Sequence, residues 1–85
     1  MKETVIESIH CHLRDQGVRA PLDGKTKFED MDVDSLGLYS MVAGVEDDHD
    51  VIVNCGEFAG LEGVDDLADV IVTKINARMP IARAA

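Results

Sequence analysis

Tryptophan is absent from this chain, and one tyrosine and two phenylalanines bring aromatics to only 4%. Little is left from which to wall an enzyme's substrate pocket. Cysteine is equally scarce. Cys11 and Cys55 cannot make the multi-bridge framework of a small secreted domain, and no CxxC pair suggests a metal or redox site. A reducing cytoplasm is the expected compartment, while the pairing of Cys11 with Cys55 is left open. Basic residues are few, 8 Lys and Arg against 17 Asp and Glu, for a formal net charge of −9. Nucleic acid and anionic membranes would be repelled. The expected partners are basic protein surfaces, with an attraction that weakens as salt rises. No apolar run has the length of a signal peptide or a membrane span, so the chain is expected to stay where it is made.

What is present describes a folded chain. Hydrophobic residues make up 46% and charged residues 29% of 85 positions, enough for one domain over residues 1–85 and too few for two lobes with a cleft between them. Val5, Ile6, Ile9 and Leu13 recur at helical spacing over residues 3–16, and Thr4 and Glu7 have the pattern of a capping box. Gly17 ends that helix. Residues 18–34 carry Pro21, Gly24 and the isolated apolar anchors Val18, Leu22, Phe28 and Met31, the pattern of a long ordered loop. A second helix follows from Ser35 to His49, with Leu38, Met41, Val42, Val45 and His49 on one stripe and Glu46, Asp47 and Asp48 in solvent.

Val51, Ile52 and Val53 have no second strand to pair with and read as extended loop. One short helix fits between Gly56 and Gly63. Val64, Leu67, Ala68, Ile71, Val72 and Ile75 define a last helix, with Asp65 and Asp66 in its first turn and Lys74 and Arg78 near its end. Pro80 is expected to stop it, leaving residues 80–85 as a frayed tail. The expected fold is an all-α bundle of three main helices and one short helix, with a long ordered loop between helices 1 and 2. A monomer is expected.

The chemistry concentrates around Asp30, Asp32, Asp34 and Ser35. Three alternate carboxylates match positions 1, 3 and 5 of a calcium loop, but Ser35 stands where that loop requires glycine and Met41 where it requires a bidentate glutamate. A nucleophilic Ser35 would need a general base and an orienting third group within hydrogen-bond reach; the only histidines are His10, His12 and His49, and no G-x-S-x-G turn surrounds the serine. His10, Cys11 and His12 are consecutive on a helix, where side chains point about 100° apart and cannot close on one ion. No metal site and no catalytic residue is therefore assigned. Cys11 falls near the apolar stripe and reads as a small core residue, Cys55 as a free thiol in a loop.

Asp34-Ser35-Leu36 at a loop-to-helix junction, with Phe28 upstream, Glu46-Asp47-Asp48 at the end of the following helix and Val51-Ile52-Val53 beyond it, resembles the acyl carrier protein family. The likeness in length, acidity and helix order spans nearly the whole chain. It implies that Ser35 receives 4′-phosphopantetheine from coenzyme A through a phosphopantetheinyl transferase, that Asp34 assists loading, and that the protein performs no bond chemistry of its own. The arm would carry acyl, aminoacyl or polyketide units as thioesters. Leu36, Tyr39, Ser40, Glu46 and Asp47 would form the face on which acyl-loading and acyl-transferring enzymes dock. The chain departs from the family pattern at Met31-Asp32, where Leu-Gly is common, at Gly37, at Ser40, where an acidic residue is common, and at His49, where an aromatic is common. These departures point to a carrier dedicated to a specialised pathway rather than to housekeeping fatty acid synthesis. The alternative is a small acidic interaction module with the same bundle and no arm.

Overall fold

The computed structural model describes residues 1–19, 22–23 and 25–84, with side chains through residue 77. Among these, the chain forms helices α1 (Lys2–Asp15), α2 (Ser35–His49), α3 (Cys55–Ala59) and α4 (Val64–Ala84), with a 3₁₀ turn at Phe28–Asp30. This is the all-α bundle of three main helices and one short helix that the periodicity predicts. The core is apolar throughout: Ile9, Leu13, Met41, Val45, Leu67 and Ile71 are wholly shielded from solvent, and no polar or charged side chain among the described residues is buried. Polar groups reach the interior only at single atoms, the ring Nε2 atoms of His10 and His49 being shielded from solvent.

Helix α1 packs against both α2 and α4. Its buried stripe is Val5, Ile9 and Leu13. The expected capping box at Thr4 is not used, because the helix begins at Lys2 with Met1 as its cap residue and no side-chain cap bond. Lys2 pairs with Asp65 and Asp69 of α4 at 3.3 and 2.9 Å, and this anchorage holds the turn before Thr4 in helix. The cysteines also differ from expectation: Cys11 is exposed and Cys55, exposed too, opens α3 under the Asn54 cap rather than lying in a loop; both thiols are free. Two residues from both Ile9 and Leu13, Cys11 sits roughly 200° around the helix from each, on the far side from the core.

The seam between α1 and α2 is close. The His12 ring lies directly over Gly44, where an added Cβ would come within 2.9 Å of the imidazole Cγ and nearer still to two other ring atoms. Gly44 therefore lowers helix propensity but permits the approach. The same histidine continues outward to α2's last turn, where its Nε2 donates to Asp48 at 2.8 Å and Ser8 Oγ donates to the same carboxylate oxygen at 2.7 Å.

The loop from Gly17 to Asp34 is a strap stitched to the start of α4. Phe28 N–H donates to Glu62 at 2.9 Å and Val64 N–H to Thr26 at 3.1 Å, around an isolated antiparallel bridge between Lys27 and Gly63. Val18, Phe28 and Met31 turn into the core, as expected of the strap's apolar anchors, and Leu22 packs against it. The breaks expected at Pro21 and Gly24 lie outside the described residues.

Helix α4 does not end at Met79 but continues through Pro80 to Ala84. A proline removes one i→i−4 donor and kinks a helix as readily as it ends one. The tail expected to fray is thus helical to residue 84, and Ala85 lies outside the described residues. No helix among the described residues is long and apolar enough to cross a membrane.

Candidate functional site

The start of α2 is set by Asp34. Its backbone is extended, and its carboxylate accepts from Gly37 N–H at 2.8 Å, satisfying one of the helix's otherwise unpaired donors. With the cap supplied by its neighbour, Ser35 is the first helical residue and its side chain is exposed. Leu36, the last residue of the motif, is 74% exposed. Gly37 has a physical reason: a Cβ there would stand 2.5 Å from Val33 and 3.3 Å from the capping carboxylate. Any larger residue would push the strap away from the helix start.

Beside this turn is an open groove of about 730 Å³, lined by Gln16 at the end of α1, by the strap from Met31 to Asp34, and by Leu36, Gly37 and Ser40 of α2. Asp34 and Leu36 both line it, so the chain at Ser35 runs along its rim. Asp30, Asp32 and Asp34 are all exposed and do not gather: among the described residues no group of three acidic, histidine or cysteine side chains could hold a metal ion.

Of the expected docking residues, Leu36, Tyr39 and Ser40 lie at the surface of α2's first turns and Asp47 is exposed near its end. Tyr39 is 48% exposed, and its ring rests 5.8 Å from Phe58 of α3. Glu46 differs from the solvated residue the helix pattern predicts. It is half-buried, and its carboxylate accepts from Val53 N–H at 2.7 Å, fastening the extended segment after α2. Asp48 likewise serves the α1–α2 seam, and its pKa is lowered by the Ser8 hydroxyl first and by His12 second.

Two features escaped the sequence reading. Ile52 is 77% exposed, while Val53 beside it is buried and Val51 half-buried. Alternation in an extended segment turns neighbours to opposite sides, so that signal was available. Gln16 gave no such signal, because only the closure of the strap brings it to α2. No family model, curated protein or solved structure matches the chain.

Proposed function

We propose that this protein is a carrier: Ser35 Oγ is the attachment point of a 4′-phosphopantetheine arm, and partner enzymes dock on the exposed first turns of α2. The observation that supports this best is the exposed hydroxyl residue at a helix start already capped by its neighbour, next to an apolar side chain left in solvent. The residues present suit the group. A phosphodiester on Ser35 lies by the free N–H groups and positive dipole end of α2, and Gly37 keeps the turn slim enough to leave the rim open.

In loading, Ser35 Oγ forms the new bond to the phosphorus of the coenzyme A pyrophosphate. The bond from that phosphorus to the nucleotide side breaks, adenosine 3′,5′-bisphosphate leaves, and the serine proton passes to a base on the transferase. Asp34 assists this metal-dependent step from the adjacent position. Once bound, the group supplies a thiol that holds acyl, aminoacyl or polyketide units as thioesters. Leu36, Tyr39, Ser40 and Asp47 offer partners an apolar centre with an acidic flank, suited to enzymes with basic patches. Glu46, expected on that face, is instead engaged on the chain's own backbone at Val53 N–H. The protein works as a cytoplasmic monomer, without nucleic acid, on a biosynthetic pathway whose other members do the chemistry.

The test is incubation with coenzyme A and a broad-specificity phosphopantetheinyl transferase, followed by intact mass and peptide mapping. A gain of one phosphopantetheine mapped to Ser35 is expected. No gain, or a gain mapped elsewhere, overturns the reading.

A further inference from the structure

Leu36 stands between two flanks of α2, and they differ in how much room they offer. On one flank Tyr39 rests on Phe58, whose ring is in turn 5.4 Å from Phe28, and both phenylalanines are buried. That stack joins α2 to α3 and to the strap. Beneath it Met41, Val45, Leu67 and Ile71 are fully enclosed, so entry to the bundle there would require displacing packed side chains. On the other flank lies the groove beneath the strap, within the size range of small-ligand sites.

The groove's lining has a definite chemistry. Gln16, Asp32 and Ser40 present hydrogen-bonding groups, Val33 and Leu36 present methyls, and no lysine or arginine lines it. Such a surface suits an uncharged chain of amides and short alkyl segments. Amide N–H groups find the Asp32 carboxylate or the Ser40 hydroxyl, amide carbonyls find the Gln16 side-chain NH₂, and methyl groups find Val33 and Leu36. An anionic ligand would meet Asp32 and Asp34 instead.

Resting on the carrier reading, we infer that Gln16, Val33 and Ser40 hold the amide-bearing arm in this groove along the strap, and that the arm does not enter the helical core. The position is reachable because Ser35's two neighbours are themselves part of the lining.

The experiment compares amide proton–nitrogen spectra of isotope-labelled apo and loaded protein, each verified by intact mass. Expected differences fall on Gln16, Val33, Gly37 and Ser40. In loaded Gln16→Ala protein the differences at Val33 and Gly37 should drop at least twofold. Differences confined to residues 34–36, or centred on Phe58 and Leu61, overturn the groove while leaving the carrier reading intact, as does a Gln16→Ala protein that keeps the full pattern. Absence of the mass gain at the first step overturns the carrier reading and this inference with it.

Discussion

At the start of α2 one carboxylate caps the helix, and Ser35, Leu36, Tyr39 and Ser40 remain at the surface; at its end Glu46 and Asp48 are both engaged by the rest of the chain. Both ends are flanked by acids, yet one is arranged for contact and the other for closure. Glu46 holds the extended segment that leads to α3, and Asp48 gathers Ser8 and His12 from α1. An acidic cluster on a helix can thus look like one docking surface in sequence and prove to be divided in space, with Asp47 left outermost while its neighbours fasten the fold. Under the carrier reading, the charge that would attract a partner and the charges that fasten the bundle are carried by adjacent residues.

The largest effect comes from the open end, under the carrier reading. Ser35→Ala should abolish loading by a transferase altogether, while its thermal unfolding midpoint stays close to that of the unaltered protein, because Asp34 supplies the cap and an exposed substitution changes stability by at most about 0.5 kcal/mol. Intact mass and a melting curve on the same sample check both halves. A large loss of stability would mean that Ser35 is part of the scaffold and would erase the contrast between the two ends.

The closed end predicts the opposite pattern. Gly44→Ala should destabilise by about 1–3 kcal/mol, since the new methyl collides with the His12 ring along its whole inner edge. In a His12→Ala background the same change should turn neutral or stabilising, because Ala is favoured over Gly in a helix interior by about 1 kcal/mol. Chemical denaturation of the four proteins of the cycle measures this coupling.

How much of this was legible depended on whether a feature is local. The helices announced themselves through three- and four-residue spacing, and the stripes Val5-Ile9-Leu13, Met41-Val42-Val45 and Val64-Leu67-Ala68-Ile71 are the buried ones. Asp34-Ser35-Leu36 could be placed at a helix start because a cap is a property of three or four consecutive residues. The roles of Glu46, Asp48 and Gln16 were hidden, since each is decided by a group that folding alone brings near: Val53 N–H, the Ser8 and His12 side chains, and the strap beside α2. Thr4 and Cys11 were misplaced for the same reason. Lys2 found partners on α4 that drew the helix start past Thr4, and the true stripe left Cys11 outside.

A smaller effect separates the two neighbours in the acidic cluster. Glu46→Ala removes the acceptor of a partly buried N–H and should cost about 1–2 kcal/mol, measured by denaturant midpoint, whereas Asp47→Ala should stay within about 0.5 kcal/mol. Under the carrier reading Asp47→Ala should instead slow association with a basic partner enzyme and flatten the dependence of that rate on salt. Equal stability losses in the two variants would dissolve the distinction between fastening and docking acids.

The smallest effect concerns protons at the seam. The Asp48 carboxyl is held below its usual range by Ser8 and then by His12. A group whose folded pKa is lowered stabilises the fold at pH values above its unfolded pKa, and that contribution disappears as pH falls through the lower, folded value. Stability of the unaltered protein should therefore decline on acidification, and the gap between it and Asp48→Asn should be full near neutrality and close in strong acid. Glu57, lowered first by Lys74, and Asp23, lowered first by the Lys25 N–H, titrate in the same direction in both proteins, so the difference between the two melting curves reports Asp48 together with its contacts to Ser8 and His12. Because this side chain is 48% exposed, the gap should be modest and should shrink further at high salt. A gap that persists unchanged into strong acid would show that Asp48 acts by packing rather than by charge, and the closed end of α2 would then be fastened electrostatically by Glu46 and not by Asp48.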